Sequence, residues 1–175
     1  MLPVEDPRLP PGFSRETTIR RDAQGRWFHE GAPVENPAVA RAFDAWVARA
    51  EDGRYILEND INWAYVEIEG APVFVVGVDI DVAGVTLHLS DGRQEPLAPA
   101  TLRQDEDGRL YCDVRGGQLW AAFSRKATLQ LEPLVQEDEA GIYLELGVAR
   151  VRPPVQDDVS SRPAPSPAGS PPPPR

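Results

Sequence analysis

The chain says nearly the same thing twice. Residues 19–31 read IRRDAQGRWFHEG and residues 102–114 read LRQDEDGRLYCDV. At an offset of 83, Arg20, Asp22, Gly25 and Arg26 meet Arg103, Asp105, Gly108 and Arg109 as identities, Ile19 meets Leu102, and Phe28 meets Tyr111. In each copy an Asp-to-Gly turn separates two short runs that contain large apolar residues, which is hairpin chemistry. The first hairpin is expected over Thr17–Arg21 and Arg26–Glu30, and the second over Thr101–Val114 with its turn at 105–108.

The elements that follow repeat in order. After the first hairpin, ENPAVARAFDAWVARAEDG predicts a helix. Asn36 suits the N-cap and Pro37 the first helical position; Val39, Ala42, Phe43, Trp46, Val47 and Ala50 share one face, with Trp46 read as core, and Gly53 is the stop. Arg54–Glu58 (RYILE) reads as a strand. After the second hairpin, Trp120, Phe123, Ala127, Leu131 and Leu134 recur every three or four residues, the pattern of a helix that Pro133 ends or kinks. Residues 128–132 also alternate as a strand would. The strand IYLELGVARV follows, with Tyr143 and Leu144 matching Tyr55 and Ile56. Hairpin, helix and strand therefore occur twice in one order. Between the copies WAYVEIEG, APVFVVGVDID, GVTLHLSDG and RQEPL read as short strands separated by turns.

The expected fold class is α+β: two small, structurally repeated subdomains, mostly antiparallel sheet with two principal helices. The expected divisions are an extended N-terminal arm over 1–15, a first subdomain over 16–75, a second over 76–152, and a disordered Pro-rich tail over 153–175. The tail, VRPPVQDDVSSRPAPSPAGSPPPPR with its flank, offers too few large apolar side chains to build a core. Its closing prolines suit either a solvated tail or the aromatic groove of a protein partner.

Composition narrows the function. A formal charge of −10 repels nucleic acid, so no nucleic-acid partner is expected. One cysteine, Cys112, leaves no disulfide framework and no cysteine-based zinc site. The start, MLPVEDPRLPPGF, lacks the basic and apolar regions of a signal peptide, and no run approaches the roughly 20 apolar residues of a membrane span. A cytoplasmic location and no membrane partner are therefore expected. A single lysine among eighteen basic residues has the look of a GC-rich bacterial genome.

Three groups of residues carry candidate chemistry. In ENDINW (58–63), Asn59 and Asn62 offer amide donors and acceptors beside the flat face of Trp63, a set able to read a polar ring edge; the competing reading is a loop whose side chains bond their own backbone. Arg125 and Lys126 on the second helix offer charge to a phosphate, or else pair with Glu132 and the acids at 137–139. Asp79, Asp81 and His88 lie on neighbouring strands but border a turn, so neither a metal site nor any cofactor is expected. His29 and Cys112 share a repeat position and read as packing residues, with no catalytic companion at recognisable spacing.

Several stretches together resemble one bacterial family, the domain of unknown function numbered 1285: Gly25–Gly31, Asp52–Leu57, Val66–Val73, Leu110–Arg115 and Ala122–Arg125, in that order along residues 17–152. The resemblance implies two α+β halves built from repeated motifs, a cleft between them, a nucleotide-like ligand, a signalling role and an arginine at position 125. The chain departs from the family at Glu58–Asn62, Gly70 and Glu145–Leu146. The leading expectation is a non-enzymatic module that senses a small anionic or nucleotide-like molecule through Arg125, Lys126, Asn59, Asn62 and Trp63. The alternative is a scaffold that recruits protein partners through its Pro-rich tail.

Overall fold

The structure, a computed structural model, describes residues 14–160. Residues 1–13 of the expected arm and residues 161–175 of the expected tail lie outside the described residues.

The first unit runs β1 (Glu16–Arg21), β2 (Trp27–His29), β3 (Ala32–Pro33), α1 (Pro37–Trp46), β4 (Val47–Arg49), β5 (Tyr55–Glu58) and β6 (Trp63–Ile68), and closes into one sheet in the order β3-β2-β1-β6-β5-β4. All pairs are antiparallel except β1 and β6, which lie parallel. A connecting ribbon follows: β7 (Val73–Asp81), β8 (Gly84–Leu89) and β9 (Gln94–Pro96). The second unit repeats the plan as β10 (Arg103–Gln104), β11 (Leu110–Val114), β12 (Leu119–Phe123), α2 (Arg125–Gln130), β13 (Val135–Asp138), β14 (Gly141–Leu146) and β15 (Ala149–Val151).

The duplication holds to the level of register. Arg20 faces Phe28 across the first hairpin and Arg103 faces Tyr111 across the second. Ile68 lies parallel to Arg21, and Val155 lies parallel to Gln104. Beyond each of those pairs one amide closes the same bond: Glu69 N–H donates to Arg21 O at 2.9 Å, and Gln156 N–H to Gln104 O at 2.9 Å. In the first unit β6 joins both halves of the sheet. In the second its counterpart is interrupted at Pro153–Pro154, and proline has no N–H to give a ladder. The second unit therefore divides into β10-β11-β12, extended by β7-β8-β9, and a separate sheet β13-β14-β15. One apolar core runs through both units, from Trp27, Val47 and Val66 to Leu87, Phe123 and Leu144.

Several expectations are corrected. The first helix stops at Trp46 instead of reaching Gly53: Val47 is β-branched and fully buried, and residues 47–49 pair with β5. Trp46, read as core, is 36% exposed. The second helix does not include Trp120 and Phe123, because Leu119–Phe123 is the strand β12 and only Arg125–Gln130 is helical. All five β12 residues are buried, since the strand is central, between β11 and β7, and covered on both faces; such a strand shows no alternation to read. The boundary expected at 75/76 falls inside β7. Residues 153–160, expected in the tail, are bound to the second unit: Gln104 N–H donates to Pro154 O at 2.9 Å, and buried Arg103 Nε to Val159 O at 2.7 Å. Val159 thereby packs beside Ala71, Tyr111, Trp120 and Ala122.

Among the described residues no helix is long and apolar enough to cross a membrane.

Candidate functional site

The two repeated turns are built alike. Asp22 Oδ1 accepts from the N–H of Gln24 (3.1 Å) and of Arg26 (2.8 Å), and Asp105 Oδ1 accepts from Arg109 N–H (2.9 Å). Gly25 N–H closes on Asp22 O as Gly108 N–H closes on Asp105 O. The remaining carboxylate oxygens differ: Asp22 Oδ2 takes Arg26 Nε at 2.7 Å, and Asp105 Oδ2 takes the Tyr111 hydroxyl at 2.7 Å. Burial works to raise both carboxyls, but these hydrogen bonds outweigh it and hold both below the ordinary aspartate value.

Both turns reach one cleft of about 540 Å³ at the seam of the two units. Ala23, Gln24 and Gly25 come from the first turn and Arg109 from the second. Its floor is Phe74 and Val76, which project from the same face of β7. Gly25 permits the approach: with φ at +85°, a Cβ there would stand 2.9 Å from Phe74 Cε2. Arg109 Cζ lies 5.9 Å from the Phe74 ring centre and Arg21 Cζ 4.8 Å.

Arg21 forms the inner wall and is only 2% exposed. Its Nη1 donates to Pro72 O at 2.6 Å and its Nη2 stands 3.4 Å from Asp44 Oδ1, while Nε is buried without a hydrogen-bond partner. Asp44 Oδ1 also accepts from Trp27 Nε1 at 2.9 Å. Burial lowers the Arg21 pKa and raises that of Asp44; Arg21 pulls Asp44 back down in part.

Ser90 and Ser124 close the ends. Val75 faces Leu89 on one side and Phe123 on the other, so the next residue of each neighbouring strand is a serine. Ser90 N–H donates to Phe74 O at 2.8 Å and Ser124 N–H to Val75 O at 2.9 Å. Each Oγ is held from inside: Ser90 Oγ accepts from Phe74 N–H (3.1 Å) and Ser124 Oγ from Ala127 N–H (3.2 Å). A hydroxyl that accepts one bond still has its proton to give. The cleft thus combines two guanidinium groups, two hydroxyl donors and one carboxylate around an aromatic floor.

None of the five residues singled out from sequence lines this cleft. Asn59 Oδ1 accepts from the N–H of Ile61 and of Asn62, both at 2.9 Å, and Asn62 Oδ1 accepts from Trp63 N–H at 2.9 Å. Asn59 Oδ1 thus serves the β5–β6 loop itself, while Asn62 Oδ1 also accepts from Arg15 Nη1. Trp63 is half-buried, edge-on to Tyr65 at 5.2 Å, with the Arg15 guanidinium 4.4 Å above its ring. Arg125 and Lys126 are exposed and follow the cleft-lining Ser124 directly in the chain. Asp79 and His88 do meet, at 2.6 Å, with Gln94 Nε2 3.2 Å from the other ring nitrogen. Among the described residues no group of three metal-ligating side chains is present. The cleft-lining Arg21, Asp44, Ser90, Arg109 and Ser124 escaped sequence reading; the one local signal was the repeat, which marks both turns.

Fold and site define an α+β protein made by duplication of one strand-rich unit, with a polar cleft where the copies abut. Two solved structures of DUF1285 family proteins share this fold. One, from Silicibacter pomeroyi DSS-3, superposes with a TM-score of 0.61 at 22% identity, over 78% of this chain and 79% of its own. The other, from Shewanella baltica OS155, gives 0.52 at 20% identity, over 64% and 87%. The resemblance read from the sequence and the likeness of fold thus point to the same family. No family's sequence profile matches the chain, and no curated protein matches it.

Proposed function

We propose that this protein is a non-enzymatic sensing module that holds a small organic anion in the seam cleft. The observation that supports it is the convergence of both repeated turns on Phe74, which sets Arg21 and Arg109 around an aromatic floor in a chain whose formal charge is −10. A flat anion gains twice there, from the ring face below and from guanidinium forks beside it. The volume suits a small molecule. Arg125 and Lys126, next to Ser124, add positive charge at the rim. In this reading Asn59, Asn62 and Trp63 belong to a structural loop, and the signalling role follows from ligand binding without turnover.

Calorimetry and thermal shift with a panel of nucleotides, sugar phosphates and organic acids test it. A true ligand at 100 times its Kd stabilises the fold by about 2.7 kcal/mol. Arg109→Ala is expected to abolish that shift, and Arg125→Ala with Lys126→Ala to weaken it mainly at low salt. No stabilisation by any panel member, or full binding by Arg109→Ala, would overturn the proposal.

A further inference from the structure

We infer that the cleft is polarised: its ligand lies across β7 with an oxyanion at the Arg109–Ser124 end and a hydrogen-bond donor at the Asp44–Ser90 end. The inference rests on the seam-cleft reading above and adds the ligand's orientation and its two-ended chemistry.

The geometry starts from strand spacing. Ser90 and Ser124 flank β7 on opposite sides: β8 runs antiparallel and β12 parallel to β7, so Ser90 stands level with Phe74 and Ser124 level with Val76. Two strand spacings with two residues of rise put their backbones about 12 Å apart. One tetrahedral anion cannot reach both hydroxyls across that span; a molecule with polar groups at its two ends can. Phe74 lies between them and gives the middle of such a molecule a flat surface.

The two ends are chemically unlike. In the β11–β12 ladder Tyr111 is opposite Ala122; carried two residues further, the same register brings Arg109 beside Ser124, about 5 Å away backbone to backbone. That end offers a guanidinium and a hydroxyl proton, with Arg125 and Lys126 following in the chain, and presents no carboxylate. At the other end Ser90 is next to Asp91, whose charge acts on Asp44. Arg115 links the same residues, reaching the Asp91 carboxylate and, at 3.3 Å, Asp44 O. Asp44 spends Oδ1 on Trp27 and Arg21, and among the described residues its Oδ2 takes no hydrogen bond. This end alone presents a carboxylate acceptor, so it favours an N–H or O–H group, and the Arg21 guanidinium beside it is already engaged by Asp44 and Pro72 O. Ring-bearing molecules with a phosphate at one end and an amino or hydroxyl edge at the other fit the arrangement.

The test compares AMP with adenosine in three proteins. Ser124→Asp and Ser90→Asp each keep an oxygen able to accept the backbone N–H that the serine now holds, and each places a negative charge at one end of the cleft. In the natural protein AMP is expected to bind roughly tenfold tighter than adenosine, through charge-assisted bonds at the phosphate. Ser124→Asp is expected to erase that ratio, a loss of roughly tenfold or more for AMP from like-charge repulsion, while adenosine affinity stays within about twofold. Ser90→Asp is expected to leave the ratio intact. Arg109→Gln, which leaves the Ser124 cap untouched, should give the same result as Ser124→Asp even if the latter folds poorly. A ratio that survives both Ser124→Asp and Arg109→Gln, or collapses in Ser90→Asp, overturns the orientation while leaving the cleft itself as a binding site. Failure of both probes to bind the natural protein overturns the orientation, and the panel result then decides whether the cleft reading falls with it.

Discussion

The guanidinium of Arg115 grips the carboxylate of Asp91, with Nε 3.1 Å from Oδ2, and the aspartate side chain is fully buried. Arg115 also spans the seam, since its Nη1 donates to Val47 O and its Nη2 to Asp44 O at the end of α1. Its own N–H is held by Glu95, at 3.0 Å from Oε1. One side chain of the second unit therefore fixes the first unit and the ribbon together.

Arg115→Ala should cost about 3–5 kcal/mol, because it breaks a buried ion pair, leaving Asp91 Oδ2 with only Arg93 Nε at 3.9 Å, and takes this donor from two carbonyls. Urea unfolding followed by tryptophan fluorescence measures this. A loss under about 1 kcal/mol would show that the clamp contributes little.

The duplication supplies its own control for the turn glycines. Gly25 and Gly108 have φ of +85° and +78°, but an added Cβ meets Phe74 at 2.9 Å in the first and nothing nearer than Gln104 Oε1 at 4.0 Å in the second. Gly108→Ala should therefore cost only the left-handed backbone strain, about 1–2 kcal/mol. Gly25→Ala should cost about 1–3 kcal/mol more from overpacking against Phe74. Equal melting temperatures for the two variants would contradict the close approach that shapes the cleft.

Both turn carboxylates give an acid-dependent signature. Asp22 and Asp105 have pKa values in the fold below that of an unfolded aspartate, about 3.9. Folding thus favours the ionised form: the stability these groups add is full above that pH and is lost as pH falls through their folded values. The double variant Asp22→Asn, Asp105→Asn should be less stable at pH 7 and should lose stability less steeply between about pH 4 and pH 2. Urea midpoints across that range decide it; parallel curves for the two proteins would refute the assignment.

Cys112 is fully buried on β11, and burial pushes its thiol up to about 12. Only the thiolate is nucleophilic. Ellman's reagent at pH 8 should leave the folded protein untouched and titrate one thiol in urea. Rapid reaction of the folded chain would mean that β11 opens readily.

How much was legible follows from how far apart the determinants lie. Asp22 and Gly25, or Asp105 and Gly108, make their turns from neighbouring residues, so both hairpins and the order of elements could be read directly. Asn36 caps α1 as expected, its Oδ1 accepting from Ala38 N–H at 2.9 Å. The misreadings arose where tertiary contact overrides local pattern. Trp120 and Phe123 are three apart and look helical, yet the strand they occupy is buried on both faces; Val47 continues the helical stripe and instead enters the sheet. The cleft was the least legible part, because Arg21, Asp44, Phe74, Ser90, Arg109 and Ser124 come from six separate places in the chain and meet only once the sheets are formed. Asn59, Asn62 and Trp63 had the right chemistry in the sequence, but the fold occupies both asparagine oxygens, with the loop's own backbone and, at Asn62, with Arg15.

Backbone amide shifts in a ¹H–¹⁵N NMR titration with AMP test the central claim most directly. The largest changes are expected on Gln24, Gly25, Ser90, Arg109 and Ser124, with those at Arg109 and Ser124 absent when adenosine replaces AMP. Changes centred on residues 58–63, or none above background at saturating AMP, would contradict it.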